Sequence, residues 1–390
     1  MLASSDMLKH IDLRLVEPAF GDPLTGSIVQ LEELRRDWRG TTQIELFFDL
    51  TYIFQMMESL GSSRIEGNRT TVSDLIDTRV AGEPNREERL REIGNIEAAI
   101  KFVEATIRPG DAITNQHIRE IHRITVDGLD PNMEGDRTPG EYRLGSVSIS
   151  KSIHKPPSGP AVPQYMDELL TFIAEDGVPQ FGLIRIAIAH HRFAWVHPFK
   201  NGNGRTVRVL TYAMLIQQGY NVTKGRINPT AVFAADRDMY YEKLAAADTG
   251  TDEGLLEWCE YVVGGWQREV ERIERLADHK YLSENILIPA IKACTSRNEL
   301  SDQEARVLTL AANKGLIAAK DVKRLMPEVT DVTVSRRLAK MRERKLLTES
   351  RQKRHHYRLL FANNDMMRSV IGTLRTEGFF SGLDDEDTPQ

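Results

Sequence analysis

Apolar residues recur at spacings of three and four over most of the chain. Ile28, Leu31 and Leu34, then Ile44, Phe47, Phe48, Ile53, Met56 and Met57, predict helix from about 26 to 60. The polar stretch GSSRIEGNRTT, 61–71, is expected to interrupt it. Residues 86–127 read as two further helices. The pattern then breaks: residues 131–160 hold Pro131, Pro139, Pro156, Pro157, Pro160 and many glycines. A short alternation through Val147, Ile149 and Ile153 predicts a loop carrying a small β-hairpin. Helical periodicity returns after Pro163 and runs to about 297. Within it, FGLIRIAIAHHRFAWV, 181–196, is apolar around most of its circumference, as a helix at the centre of a bundle is.

A different module begins near 298. Two short helices, SDQEARVLTLAANKG and AKDVKRLM, precede a third, TDVTVSRRLAKMRERK, with Thr330 as its cap. LLTESRQKRHHYRLL then alternates like a two-stranded ribbon. Residues 298–362 resemble a winged helix-turn-helix. Val332, Val334, Leu338 and Met341 are expected to face its core. Ser335, Arg336, Arg337, Lys340 and Arg344 would form the outer face, with Arg351, Lys353 and Arg354 on the wing. From Lys314 to Arg358 there are 14 Lys/Arg against 5 Asp/Glu, a local charge of +9. Such a face suits phosphates and base edges of DNA, or docking on an acidic protein surface. The tail from 363, ending in DDEDTPQ, is expected to be disordered.

Composition narrows the classes. The chain has 390 residues and a net charge of −6, so the basic module leaves −15 for the remainder. A uniformly basic nucleic-acid coat is excluded. Two cysteines, Cys259 and Cys294, make no disulfide scaffold and fit a reducing cytoplasm. The N-terminus has no apolar signal region, and no stretch nears the roughly 18 apolar residues of a spanning helix. A cytoplasmic, mainly α protein of two or three domains is expected.

The chemistry concentrates in HPFKNGNGRTVR, 197–208. Gly202 and Gly204 let backbone approach a ligand closely. The helix that follows points unpaired N–H groups into the turn, which makes an anion site suited to phosphate. Arg205 and Arg208, three apart on one face, can reach the same anion. His197 can accept a proton at neutral pH. Cradle, arginines and base together suggest group transfer from a nucleotide to a hydroxyl. The bland alternative is a glycine-rich turn between helices with a buried histidine.

HPFKNGNGRTVR resembles the Fic family signature, HxFx(D/E)GNGRxxR. The resemblance implies a Fic-type helical bundle with a β-hairpin flap, and transfer of AMP from ATP to a Tyr, Ser or Thr hydroxyl of a target protein. On that basis His197 is the general base. Gly202, Asn203 and Gly204 hold the α- and β-phosphates, Arg205 assists, Arg208 binds the γ-phosphate, Thr206 and Val207 complete the ATP site, and Phe199 anchors the loop. Asn201 departs from the family's Asp or Glu. An amide carries no charge, so binding of Mg²⁺ or Mn²⁺ is expected to be weakened.

SSRIEGN, 62–68, is similar to the family's inhibitory motif through Ser62, Glu66 and Gly67. Ser62 and Glu66 are four apart on one helix face. The resemblance implies that Glu66 pairs with Arg208 in place of the γ-phosphate. The alternative is a capped helix end with Glu66 in solvent. The segment 139–163 is similar to the family's flap, whose edge, Val147, Ser148, Ile149, Ser150, Lys151, Ser152 and Ile153, would take an extended target. His154 is expected to be exposed. In DRDMYYEKL, Tyr240 or Tyr241 falls where relatives contact adenine.

These readings divide the chain into an N-terminal inhibitory region (1–85), a catalytic domain (86–275), a linker helix (276–297), the winged helix (298–362) and a tail (363–390). The leading function is a self-inhibited protein adenylyltransferase, with target proteins, the chain itself among them, as partners. A homodimer is compatible with it. The alternative is a DNA-binding regulator, contacting DNA through Ser335, Arg336, Arg337, Lys340 and Arg354, whose Fic-like part senses nucleotide. Another phosphate-linked transfer, or AMP removal, is a third reading.

Overall fold

A computed structural model describes residues 10–36, 40–81, 87–149, 154–175, 181–220 and 229–380. The chain divides into two compact units. The first holds residues 1–37, 58–69 and 85–270, and the second holds 38–57, 70–84 and 271–390. The mainly helical expectation is met.

The first unit contains α1 (Pro23–Arg36), the end of α2 (Ile44–Ile65), α4 (Glu88–Thr106), α5 (Asn115–Thr125), α6 (Val162–Ala174), α7 (Gly182–Val196), α8 (Asn203–Gln217), α9 (Pro229–Ala235), α10 (Arg237–Ala247) and most of α11 (Asp252–Ala277). The apolar 181–196 segment is the buried α7, as its pattern required. All its residues but Ala194 are buried, and it packs between α6 and α8. Two of its histidines are satisfied internally: His190 bonds Thr211 and Tyr240, and His191 bonds Asp248. Trp195, Phe193 and Phe199 fill the core around its C-terminal end.

Polarity at 61–65 does not stop α2, which continues to Ile65. Ser59, Ser62 and Ser63 are small enough to be buried in the helix, and Ser63 Oγ donates to the carbonyl of Leu60. The turn comes at Gly67, with φ 105°. The predicted flap hairpin has no strand at Val147, Ser148 or Ile149, while Ser150, Lys151, Ser152 and Ile153 lie outside the described residues.

The second unit holds the start of α2, α3 (Val72–Ala81), α12 (His279–Tyr281), a π-helical stretch Leu282–Leu287, α13 (Ile288–Ser296), α14 (Asp302–Lys314), β1 (Ile317–Ala318), α15 (Ala319–Leu325), α16 (Asp331–Glu343), β2 (Leu347–Glu349), β3 (His356–Leu359) and α17 (Asn364–Thr376). The ribbon reading corresponds to β2 and β3, antiparallel with Thr348 opposite Arg358, and β1 adds on the far side of β3. Thr330 caps α16 by accepting from the N–H of Thr333.

Three expectations change here. Val334, Leu338 and Met341 are buried, but Val332 is 70% exposed. Positions 334, 338 and 341 share one stripe, and 332 lies about two residues off it, on the opposite side of the turn. Arg337 and Arg344 turn inward: Arg337 reaches Gln303 and the sulfur of Met326, and Arg344 pairs with Glu304 at 2.6 Å. Finally, the tail opens with a helix. Asn363 caps α17, whose Met366, Val370, Ile371 and Leu374 are buried, so residues 364–376 are ordered by packing. DDEDTPQ lies outside the described residues.

Candidate functional site

The site lies in the first unit, where α7 ends and α8 begins. His197 terminates α7 in the left-handed region, φ 49° and ψ 62°. That conformation costs a non-glycine residue roughly 1–2 kcal/mol, so neighbouring contacts must hold it. Burial pushes its imidazole down to about 4, against the weaker opposing effects of a bond to the Ala194 carbonyl and the charge of Glu66. It is therefore neutral at pH 7. A neutral imidazole keeps one ring nitrogen free of a proton, and that nitrogen can act as the proton acceptor.

The turn is shaped by two glycines. Gly202 has φ 70°, and a Cβ there would lie 2.6 Å from Val126. A Cβ on Gly204 would lie 2.1 Å from Oε1 of Glu66. The helix opened by Asn203 leaves first-turn N–H groups without helical partners at this point. The Glu66 carboxylate sits over that turn.

Arg208 binds the end of α2 three ways. Its Nε donates to Ser62 Oγ at 2.8 Å, and its Nη2 donates to the Ser62 carbonyl at 2.8 Å and to Glu66 Oε1 at 2.7 Å. Burial works to raise the Glu66 carboxyl, but Arg208, Arg205 and Arg237 outweigh it and hold it below the ordinary carboxylate value. Ser62 and Arg208 are both buried, while the Glu66 side chain is 25% exposed. Gly67 follows at the helix end.

Other residues named from sequence face elsewhere. Asn203 spends its amide on Phe199, accepting from its N–H and donating to its carbonyl, both at 2.9 Å. Arg205 turns to Glu134 and Glu92, at 3.0 and 3.3 Å, so the two arginines do not share one partner. Thr206 donates to the Gly202 carbonyl, and Val207 is in the core. Tyr240 is buried with its hydroxyl on His190, whereas Tyr241 is 40% exposed beneath the guanidinium of Arg237. Lys200 is exposed. His154 is half-buried, with Nε2 2.8 Å from the Trp195 carbonyl, which corrects its expected exposure.

Asn201 bridges the loop: its amide nitrogen donates to the Met133 carbonyl and its oxygen accepts from the N–H of Gly202. Both ends of the amide are thus engaged, and the position supplies no negative charge for a divalent cation. The donors present at this position do not fit a tightly held Mg²⁺. Among the described residues no group of three His, Cys, Asp or Glu side chains could hold a metal. Nor is any described helix long and apolar enough to cross a membrane.

Two residues escaped the sequence reading. His122 of α5 stacks on Phe199, accepts from the Gly140 N–H at 2.9 Å, and sits 3.1 Å from the Asn201 carbonyl. Arg143 is almost fully buried against the end of α7. Neither belongs to a spaced motif, so no pattern in the chain marks them.

The family model described as Fic/DOC family matches residues 112–215, a span that runs from α5 into α8 and includes the whole turn. This segment is a Fic domain. Among curated proteins, the chain is similar to Protein adenylyltransferase Fic of Aedes aegypti, 30% identical over 204 residues, covering 51% of this chain and 38% of that protein. It is likewise similar to Protein adenylyltransferase Fic of Nematostella vectensis, 30% identical over 194 residues, 48% of this chain and 42% of that one. The chain therefore spans less than half the length of these relatives. A crystal structure of a Fic family protein from Desulfovibrio desulfuricans G20 superimposes with a TM-score of 0.55 at 20% identity, over 89% of this chain and 98% of that one. That likeness extends the shared fold well beyond the Fic domain.

Proposed function

We propose that this chain is a protein adenylyltransferase that transfers AMP from ATP to a Tyr, Ser or Thr hydroxyl of a target protein, and that Glu66 restrains it. The observation that carries the reading is the carboxylate of Glu66 on Arg208, directly over the Gly204 turn. A γ-phosphate is the other anion suited to Arg208, so ATP and Glu66 compete for one guanidinium. In the released enzyme, the neutral imidazole of His197 takes the hydroxyl proton. The hydroxyl oxygen then attacks the α-phosphorus, and pyrophosphate leaves. The helix N-terminus at Asn203–Gly204 stabilises charge that develops on the phosphate oxygens.

The test is transfer of label from α-labelled ATP to protein, with Mg²⁺ or Mn²⁺ and cell lysate as the acceptor. Glu66→Gly should label strongly, the native chain weakly, and His197→Ala not at all. An unlabelled Glu66→Gly reaction with either metal would overturn the reading.

A second reading has its own support. In the second unit Ser335, Arg336 and Lys340 on α16, and Arg351, Lys353 and Arg354 beyond β2, are all exposed. Residues 298–362 as a winged helix-turn-helix would present them to DNA, and Arg337, turned inward, would contribute least. Combined with the amide at Asn201, this supports a DNA-binding regulator whose Fic domain senses nucleotide. A duplex gel shift whose affinity falls steeply with salt is its expected signature.

A further inference from the structure

Arg143 lies on the loop between α5 and α6 and is 1% exposed. Its donors go to backbone carbonyls. The main-chain N–H donates to the Pro198 carbonyl at 2.9 Å. Nε donates to His197 O at 2.8 Å, and Nη2 donates to Val196 O at 3.1 Å and Pro157 O at 2.6 Å. Nη1 donates to Gly145 O at 2.8 Å. Three consecutive carbonyls, Val196, His197 and Pro198, are thus held by one residue. No carboxylate among the described residues pairs with this guanidinium.

The placement has a physical reason. The carbonyls at the C-terminal end of α7 have no helical N–H to bind and carry the negative end of the helix dipole. A cation with a rigid fork of donors satisfies several at once, which a lysine ammonium cannot do in the same plane. The clamp grips the residue whose backbone is in the costly left-handed conformation. It also ties in Gly145 and Pro157, twelve positions apart and on either side of residues 146–156.

We propose that Arg143 is a positioning residue: it holds His197 in its left-handed conformation and so aims the imidazole at the turn. The inference rests on the reading of His197 as the base. A misplacement of about 1 Å at a reacting group can cost on the order of 100-fold in rate. In the Glu66→Gly chain, Arg143→Lys should therefore lower the apparent kcat of label transfer from α-labelled ATP to lysate protein by about 100-fold. The apparent KM for ATP should stay within about threefold, since the phosphate-facing groups are untouched. A crystal structure of the same variant should show φ of His197 moved to a negative value. Arg143→Gln serves if the lysine variant does not fold. A retained kcat, a loss that falls entirely on KM, or φ still near 49° would each overturn the proposal. If Glu66→Gly itself transfers no label, the functional reading falls, while the crystal comparison still decides the role of Arg143.

Discussion

The imidazole of His122 lies flat on the ring of Phe199, with centroids 3.7 Å apart and planes 3° from parallel. Phe199 belongs to the turn, so the stack fixes the turn from below. Nδ1 accepts from the Gly140 N–H, so the ring proton must sit on Nε2, facing the Asn201 carbonyl. A second proton would have to be placed against Gly140. Burial, partly offset by Asp136, pushes His122 down to about 4.

This sets an acid limit on stability. His122 and His197 are both lowered to about 4 by burial, and burial lowers His190 as well. Between 6.5 and 4 the unfolded chain binds more protons than the folded one, so stability falls as pH falls through this window. It is full above about 6.5. Thermal unfolding at pH 7 and pH 5 should differ by on the order of 2 kcal/mol for each such histidine. His122→Gln should flatten the profile by one share.

Glu58 gives the opposite sign. Burial raises its carboxyl to about 8, against bonds from the side chain and N–H of Thr230. The folded chain keeps this proton between about 4.5 and 8 while the unfolded chain loses it, so stability declines as pH rises through that range. Glu58→Gln should stabilise the chain by on the order of 3 kcal/mol at pH 9 and by little at pH 5. Denaturant titrations at the two pH values would show it, and equal effects at both would contradict it.

Gly204→Ala puts a methyl where Glu66 Oε1 now lies. The substitution should destabilise the native chain by about 1–3 kcal/mol and cost little in a Glu66→Gly background. A double-mutant cycle on melting temperatures reads the coupling. Additive effects would mean that the methyl meets something other than Glu66.

Arg205 and Glu92 are both buried, and Glu134 completes the group. Removing the guanidinium leaves Glu92 without its cation. Arg205→Met should therefore cost about 3–5 kcal/mol, measured by denaturant unfolding. In the Arg205→Met chain, Glu92→Gln should recover much of that loss.

Several features were legible in the order of residues. The buried α7 follows from a run apolar on every face, α16 from a threonine cap and a three-to-four repeat, and the turn from glycines between His197 and Arg208. These are local facts: each depends on neighbours within a few positions, where sequence spacing and spatial spacing agree. The spacing of Ser62 and Glu66 was local too: Ser62 lies in the last turn of α2 and Glu66 in the turn just past Ile65, and both meet Arg208.

What only the folded chain decided is partnership across long separations. Nothing in the spacing of Arg205 and Arg208 says that one turns to Glu92 and Glu134 while the other takes Ser62 and Glu66. The chain order likewise hides that His122 lies under Phe199, or that Arg143 grips Val196, His197 and Pro198. A polar side chain reads the same in sequence whether water or a distant carbonyl satisfies it. Burial removes the water, and tertiary packing then selects which group must take its place.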